Sequence, residues 1–421
     1  MLVRNSRRPL VGTIPINGAK NAILPIMAAS VLCDSPVALF NVPNLTDVQS
    51  MLALLRNLGA NVNFIYNKDC KANHTLEISC DNISNYIISR EIAEKLRASF
   101  LMLGPMLSKF GKVKTAFPGG CSIGKRPVDM HIKALEKMGA KIEIDDFYVT
   151  ATVKERLQGE EITFEKVSVG ATENVIMAAI FAEGTTVIHN PAIEPEVLDL
   201  IKFLKEMGAD INIEEGMIVI KGIEKLNGCS HKIIPDRIEA GTYSLAAIIT
   251  GGELKLEGVS LQDIEYIKSE LKTIGAEIKL AENGIIVSRK NDYIKPINVA
   301  TGPYPGFPSD MQPQLMSVMC FADGVSIIEE NVFENRFMHI NELKKMGADI
   351  NIEDNKATVV GVRKLRGADL YAKDLRSTAA LILASLVAEG ESMINNSDYL
   401  HRGYEAFNEK LNSCGADISL R

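Results

Sequence analysis

The stretch "KMGADINI", residues 345–352, recurs along the chain in related forms, and this repeat decides the fold. In each form, apolar residues stand three and five positions after a glycine, as Ile350 and Ile352 follow Gly347. The other five forms are "NLGANVNF" (57–64), "KMGAKIEI" (137–144), "EMGADINI" (206–213), "TIGAEIKL" (273–280) and "SCGADISL" (413–420). Successive glycines are 67 to 80 residues apart, so the sequence predicts six copies of one structural unit.

Each unit predicts a helix, a glycine stop and a strand. Before Gly275, for example, Ile264, Ile267 and Leu271 have the spacing of one helix face. Glycine ends a helix at little cost because it adopts the left-handed conformation. The alternating apolar residues after it indicate a strand. We therefore expect α/β units whose helices pack inward under sheets.

The chain of 421 residues is too long for one ordinary core, so six units suggest two domains of three units each. The segment "GCSHKIIPDRIEAGTY" (228–243) carries a Pro-Asp turn signal between the third and fourth glycines. We expect one domain over residues 22–233 and a second made of residues 1–21 plus 234–421. The active site is expected in the cleft between them.

Composition limits the classes of partner. The chain is 46% hydrophobic and 24% charged, which is typical of a soluble globular protein, and its net charge is −7. This charge argues against non-specific nucleic-acid binding, which needs a basic face. No apolar run approaches the roughly 18–20 residues that span a bilayer. No apolar segment follows "MLVRNSRRPLVG" (1–12), so we expect no signal peptide and no membrane partner.

The seven cysteines are widely spaced, with no CxxC pair and no Cys/His cluster. This pattern predicts neither a zinc site nor a disulfide framework, and it favours the reducing cytoplasm.

Cys121 has a more specific setting. It stands in "FPGGCSIGKRPVD" (117–129), where Lys125 and Arg126 follow it. The two cations should lower the pKa of the thiol, and the glycines permit a mobile lid. An inert, packed cysteine is the alternative. His131, on the following helix, either orients a partner or simply packs.

Further charged residues stand near predicted helix starts, where backbone N–H groups favour anions. They are Arg126, Arg336 in "ENRFMH", Arg402 in "LHRGYE", and Asp310 after Ser309, a predicted helix cap. If the guanidinium groups converge, they suit a phosphate or carboxylate ligand. Solvated positions or surface ion pairs are the alternative for each one.

The stretch "INGAKNAILP" (16–25) offers the cation of Lys20 and the amide of Asn21 among small residues. It lacks both the Walker pattern and the Rossmann glycine fingerprint. It is a candidate anion site near the predicted crossing between domains, or else a tight turn with an exposed lysine.

Nine motifs stand in the order of a known family. They are "NGAKNAILP", "LRASFLMLGPML", "PGGCSIGKRPVDMH", "VSVGATEN", "PDRIEAGT", "PYPGFPSDMQ", "ENRFMHINEL", "DLRSTAALILA" and "HRGYE". Over its whole length the chain resembles the UDP-N-acetylglucosamine 1-carboxyvinyltransferase family of enolpyruvyl transferases. The related 5-enolpyruvylshikimate-3-phosphate synthases share the fold but are not expected to carry the cysteine of "GGCSIG".

The resemblance implies a two-domain inside-out α/β barrel with three similar units in each domain. It also implies transfer of the enolpyruvyl group of phosphoenolpyruvate to the 3′-hydroxyl of UDP-N-acetylglucosamine, with release of phosphate. This is the first committed step of peptidoglycan synthesis, and it proceeds by addition and elimination through a tetrahedral ketal. Such chemistry needs an acid, a base and neutralisation of anions.

The resemblance also implies roles for individual residues. Cys121 matches the acid, which forms a covalent adduct with phosphoenolpyruvate and is alkylated by fosfomycin. Asp310 matches a base near the attacked hydroxyl. The phosphoenolpyruvate contacts are Lys20, Asn21, Arg126 and Arg402. The UDP-N-acetylglucosamine contacts are Arg97, Arg126, Pro127, Val128, Asp129, Met130, Lys166, Val167, Ser168, Val169, Asp310 and Val332, and the further site arginines are Arg336 and Arg376.

Three expectations remain open. Val167 and Val169 could be strand residues without a ligand role. No set of metal ligands is evident, so arginine and lysine are expected to neutralise the phosphate, and we predict no metal or other cofactor. The competing functions are a catalytically idle or regulatory paralogue, which would not need the acid of Cys121, and 5-enolpyruvylshikimate-3-phosphate synthase.

Overall fold

The computed structural model describes residues 1–6, 8–67, 72–117 and 128–420. The strands are β1 Leu2–Arg4, β2 Val11–Pro15, β3 Val37–Val42, β4 Asn61–Ile65, β5 His74–Ser79, β6 Ile87–Ile88, β7 Lys112–Ala116, β8 Lys141–Ile144, β9 Tyr148–Thr152, β10 Glu161–Thr163, β11 Thr185–His189, β12 Asp210–Glu214, β13 Met217–Lys221, β14 Ser230–Lys232, β15 Glu253–Glu257, β16 Ala276–Ala281, β17 Gly284–Arg289, β18 Val299–Ala300, β19 Val325–Glu329, β20 Asp349–Glu353, β21 Lys356–Val360, β22 Asp369–Tyr371, β23 Glu391–Asn395 and β24 Asp417–Ser419.

The α-helices are α1 Lys20–Ala29, α2 Thr46–Leu58, α3 Arg90–Lys95, α4 Leu103–Phe110, α5 Asp129–Lys137, α6 Val169–Ala179, α7 Pro195–Glu206, α8 Arg237–Thr250, α9 Glu265–Thr273, α10 Gln312–Met319, α11 Ile340–Lys345, α12 Leu375–Ser385 and α13 Phe407–Ser413. Short 3₁₀ turns cover Ser30–Leu32, Arg97–Met102, Ser309–Met311 and Ser397–Arg402. None of the helices in the described ranges combines the length and apolarity needed to cross a bilayer.

The chain forms two compact units. The described part of one, the continuous unit, begins at Gly18 and ends at Ile234. The other, the split unit, joins Met1–Asn17 to Pro235–Arg421, of which residues up to 420 are described. Backbone hydrogen bonds explain these divisions. Asn17 accepts from the N–H of Asp236 within the split unit, and Ala19 donates to Ile234 within the continuous unit.

Each unit contains three four-stranded sheets of one topology. In the continuous unit the orders are β14-β3-β5-β4, β6-β7-β9-β8 and β10-β11-β13-β12. In the split unit they are β16-β17-β15-β2, β18-β19-β21-β20 and β22-β23-β1-β24. In every sheet one edge strand runs parallel to its neighbour and the other two pairings are antiparallel, as β10 runs parallel to β11, and β11 antiparallel to β13. The six predicted repeats are therefore six sheets, and the predicted fold class is confirmed.

The repeated glycines end helices as predicted. Gly59 has φ 110°, and the other five lie between 95° and 112°, the left-handed region that an added Cβ would strain. Each follows a helix within two residues and precedes a strand by one to two, as Gly59 separates α2 from β4.

Three helices in each unit are buried on nearly all sides. They are α1, α4 and α6 in the continuous unit and α8, α10 and α12 in the split unit. A helix apolar all round belongs inside a core, whereas the amphipathic helices α2, α5, α7 and α9 have one buried stripe. The predicted inward packing of helices under sheets is confirmed in each unit.

Candidate functional site

Asp310 lies in the 3₁₀ turn Ser309–Met311 of the split unit, held between two arginines. Arg336 donates from Nη2 to Oδ1 of Asp310 at 2.7 Å. Arg376 donates from Nη2 to Oδ2 at 2.9 Å. Both guanidinium groups are 3% exposed, whereas the carboxylate is 29% exposed. Two buried cations therefore orient a carboxylate that solvent still reaches.

Arg376 depends on this carboxylate. Burial lowers the pKa of Arg376, but the charge of Asp310, the smaller effects of Tyr404 and Asp236 and the hydrogen bond to Asp310 together outweigh burial and raise that pKa above its ordinary value. The guanidinium also lies over the Tyr404 ring, 5.4 Å from the ring centroid, where the ring face attracts a cation. The Tyr404 hydroxyl bonds to Thr242 Oγ1 at 2.8 Å and accepts from Gln314 Nε2 at 3.2 Å. These buried hydrogen bonds hold the Tyr404 ring in place against the guanidinium of Arg376.

Three predictions about helix starts are wrong in the split unit. Ser309 does not cap a helix, since its hydroxyl donates to Glu330 Oε2 at 2.8 Å. Arg336 precedes α11 by four residues, and Arg402 is the last residue of the 3₁₀ turn Ser397–Arg402. Tertiary contacts, not helix termini, position these side chains. The turn that ends at Arg402 packs against α12, the helix that carries Arg376.

Glu330, which sequence reasoning missed, organises the segments around Asp310. Its Oε1 accepts from the N–H groups of Val332 and Phe333 at 2.9 and 3.0 Å, and from Thr301 Oγ1 at 3.0 Å. Val332 itself is 41% exposed. The carbonyl of Ser309 accepts from Arg336 Nε at 3.3 Å. The structure therefore brings Asp310, Arg336, Arg376 and Val332 into one connected region.

Lys20 is the first residue of α1 in the continuous unit, and its Nζ lies 3.3 Å from Oδ2 of Asp47. Asp47 is buried in the first turn of α2, and the Lys20 side chain is 14% exposed. Asn21 is exposed beside Lys20. The predicted anion site is thus the start of a helix, with its cation held by a carboxylate that the sequence did not single out.

A second group in the continuous unit surrounds His131 on α5. The amide of Asn174 accepts from Gly104 N–H at 2.7 Å and donates to the Phe100 carbonyl at 3.0 Å, which fixes its orientation. Its Nδ2 then donates to His131 Nδ1 at 2.8 Å, so the imidazole proton lies on Nε2. Burial, followed by the charge of Arg97, lowers the pKa of His131 to about 4. His131 is neutral, and of its two readings the structure shows a packed, hydrogen-bonded residue.

The predicted nucleotide contacts lie around the starts of α5 and α6, which pack together. Ser168 caps α6 by accepting from Ala171 N–H at 3.4 Å. A side chain at Gly170 would come 3.3 Å from His131 Cε1, so glycine permits this close approach. Lys166 and Asp129 are exposed, and the half-buried members of the set are Arg97, Val128, Met130, Val167, Ser168 and Val169.

Cys121, Arg126 and Pro127 lie outside the described residues. Within the described ranges no cluster of three His, Cys, Asp or Glu side chains could hold a metal ion. The described cysteines Cys33, Cys80, Cys229, Cys320 and Cys414 are free thiols. Burial raises the pKa of the Cys80 and Cys320 thiols to about 12, so both are protonated and inert at neutral pH.

Known proteins match this architecture from end to end. The sequence profile of the EPSP synthase (3-phosphoshikimate 1-carboxyvinyltransferase) family matches residues 5–411. The enolpyruvyl transferase NikO from Streptomyces tendae has the same fold, with a TM-score of 0.89 at 23% identity over 99% of this chain and 97% of that one.

Proteins found by sequence comparison share a much higher identity with this chain than NikO does. A UDP-N-acetylglucosamine 1-carboxyvinyltransferase of Wolbachia sp. subsp. Drosophila simulans is 69% identical, covering 100% of this chain and 99% of the relative. One from Anaplasma marginale is 49% identical, covering 99% of this chain and 98% of the relative. The chain therefore belongs to the UDP-N-acetylglucosamine 1-carboxyvinyltransferases, within the EPSP synthase family of enolpyruvyl transferases.

Proposed function

We propose that this chain transfers the enolpyruvyl group of phosphoenolpyruvate to the 3′-hydroxyl of UDP-N-acetylglucosamine. The observation that carries the proposal is 69% identity, over the whole chain, to a relative named for this activity. The sugar oxygen forms a bond to C2 of phosphoenolpyruvate while the methylene carbon gains a proton. Loss of a proton from the resulting methyl group and cleavage of the bond between C2 and the phosphate oxygen then release inorganic phosphate and leave the enolpyruvyl group on the sugar. The product begins peptidoglycan synthesis, and we infer from this that the enzyme acts in the cytoplasm.

Asp310 is the base in this proposal. Each carboxylate oxygen has about two acceptor sites, and Arg336 and Arg376 occupy one on each oxygen. The carboxylate is 29% exposed, so the hydroxyl of a bound sugar can reach it and transfer its proton. The arginines hold the carboxylate in one orientation, which is what proton transfer at hydrogen-bond distance requires.

Cations replace a metal in neutralising phosphoenolpyruvate. Lys20, Arg126 and Arg402 are assigned to its phosphate and carboxylate, with Asn21 beside them. Guanidinium groups pair with both kinds of anion through two parallel hydrogen bonds. Lys20 starts a helix, and the positive end of a helix adds to the attraction for an anion.

The nucleotide side is assigned to the continuous unit and the sugar contacts to the split unit. Arg97, Lys166 and residues 126–130 and 167–169 are proposed to hold UDP. Asp310 and Val332 are proposed to contact the sugar. The half-buried Val167 and Val169 stand at the capped start of α6, where backbone N–H groups suit a diphosphate.

Cys121 is proposed as the acid that protonates the methylene carbon, and the neighbouring Lys125 and Arg126 should lower the pKa of its thiol, which makes the thiol a stronger acid. We expect Cys121→Ser to lose at least about 100-fold in phosphate release, the scale of a missing acid. Fosfomycin should add one covalent label on the peptide that contains Cys121. A fully active serine variant, or a label on any other peptide, would contradict this assignment.

The decisive experiment measures phosphate release from phosphoenolpyruvate in parallel reactions, one with UDP-N-acetylglucosamine and one with shikimate 3-phosphate. Release with the nucleotide sugar alone supports the proposal. Release with shikimate 3-phosphate alone keeps the fold and overturns the substrate. Release in neither reaction, from folded protein, favours the idle paralogue.

A further inference from the structure

Glu330 is a buried carboxylate with an unusual set of partners. It is 4% exposed and accepts four hydrogen bonds from neutral donors. Three converge on Oε1, from Val332 N–H, Phe333 N–H and Thr301 Oγ1, at 2.9 to 3.0 Å. The fourth joins Oε2 to Ser309 Oγ at 2.8 Å. In the described part of the chain no lysine, arginine or histidine forms an ion pair with it.

The repeat shows how Glu330 differs from its counterparts. It follows β19, and three of the five equivalent strands, β11, β15 and β23, are followed by Asn190, Gly258 and Asn396, whereas Pro43 and Phe117 follow the other two. The first three of these residues turn the chain with φ of 51°, 82° and 56°. Asparagine and glycine adopt this conformation readily. In the fifth unit a carboxylate stands at this place and collects hydrogen bonds instead.

A buried carboxylate without a counterion is costly, so its donors must be well placed to retain it. All four donors lie on two segments, residues 301–309 and 332–333. One segment leads directly into Asp310, and the other contains Val332. Because both carboxylate oxygens are used, Glu330 fixes the distance between the two segments. Charge-assisted bonds of this kind are short and directional.

We propose that Glu330 is a positioning residue for the nucleotide sugar, which rests on the function proposed above. Through Ser309 it sets the Asp310 turn, whose carbonyl is also held by Arg336. Through the N–H of Val332 it sets the second sugar contact and leaves the carbonyl and side chain of Val332 for the ligand. Glu330 does not touch the reacting atoms, so it acts on the reaction through Asp310 and Val332.

The test compares three variants by kcat, by KM for each substrate and by thermal unfolding. Glu330→Ala removes every acceptor and leaves the N–H groups of Val332 and Phe333 unpaired. It should lower kcat roughly 10- to 100-fold and raise the KM for UDP-N-acetylglucosamine about 10-fold, since displacements near 1 Å have such effects. The KM for phosphoenolpyruvate should stay within about twofold, because its proposed contacts lie elsewhere.

Glu330→Gln should restore most of the activity. Its amide oxygen can keep the three donors of Oε1, and its NH₂ group can donate to Ser309 Oγ, which accepts as well as donates. Ser309→Ala should lower kcat with little change in KM, because it frees only the Asp310 turn. The control is Glu329→Ala, whose carboxylate pairs at the surface with Lys356 at 3.3 Å. It should leave all constants unchanged.

Wild-type constants in a folded Glu330→Ala variant would overturn the proposal, as would an equal rise in both KM values. If Glu330→Ala does not fold, Ser309→Ala decides the question, and an unchanged kcat in that variant refutes the positioning role. If the wild type binds UDP-N-acetylglucosamine without releasing phosphate, the proposed reaction fails. Calorimetric binding of the nucleotide sugar then tests Glu330 separately, with weaker binding by Glu330→Ala than by Glu329→Ala expected.

Discussion

Replacing Asp310 with asparagine separates the catalytic role of this carboxylate from its structural one. The change keeps the shape but removes the charge that faces Arg336 and Arg376. An amide has one acceptor oxygen, so one guanidinium keeps its bond and the other meets an NH₂ donor. In the described structure Arg376 Nε and Nη1 have no hydrogen-bond partner, so this arginine has no substitute for the carboxylate.

The size of both effects follows from this geometry. Leaving a buried cation without its partner costs about 3 kcal/mol, at the lower end because one bond survives. For a unit of this size we expect the unfolding midpoint Tm to fall by roughly 6–12 °C. Loss of a general base lowers kcat by roughly 10²- to 10⁴-fold, or about 3–5 kcal/mol of barrier.

The assay is steady-state phosphate release at saturating substrates, with thermal unfolding of the same preparation. Asp349→Asn is the matched control, because Asp349 is an exposed residue that begins β20. It should match the wild type in both measurements. A folded Asp310→Asn variant with the wild-type kcat would refute the base assignment, and an unchanged Tm would refute the argument from buried pairing.

Three further predictions concern stability and cofactor dependence. Lys410→Met should lower the free energy of unfolding by about 3–5 kcal/mol, because it removes the cation that pairs with the buried Glu239 at 2.8 Å. The control is Lys364→Met, which removes a surface ion pair and should cost less than about 1 kcal/mol in the same denaturant titration. Burial lowers the pKa of His231, but its hydrogen bonds to the carboxylates of Asp199 and Glu206 and their charges outweigh burial and raise that pKa. The stabilisation from His231 should therefore be complete below its ordinary pKa of 6.5 and fall as pH rises through the raised pKa. The free energy of unfolding of the wild type minus that of His231→Gln should shrink as pH rises, and a difference that grows with pH would contradict the prediction. Treatment with a strong chelator should leave phosphate release unchanged, and a loss that magnesium restores would show a metal requirement.

The sequence predicted the repeat and the direction of packing because both depend on local chemistry. A glycine that ends a helix and an alternating strand after it are properties of a few neighbouring residues, and Gly59 and Gly415 behave as their patterns indicate. The apolar residues that make up most of α6 and α12 likewise favour a buried position for these helices.

The partners within the candidate site could not be predicted this way, because they join distant residues. Asp310 meets Arg376 across 66 positions, and Lys20 meets Asp47 across 27. Ser309 illustrates the failure of a local rule. Its residue type and position favour a helix cap, yet its hydroxyl bonds to Glu330, 21 residues away. Tertiary hydrogen bonding therefore overrode local preference at the residue next to the proposed base.

The split unit has a consequence for synthesis on the ribosome. Strand β1 lies between β23 and β24, where Leu2 pairs with Met393 and Ser419. At about 5–20 residues per second, roughly 20–80 s separate the emergence of Leu2 from that of its first partner strand. The continuous unit, from Gly18 to Ile234, is complete long before then. Strand β1 is translated before the whole continuous unit, yet it is among the last strands to find its partners, and it stays unpaired while nearly 400 further residues are made.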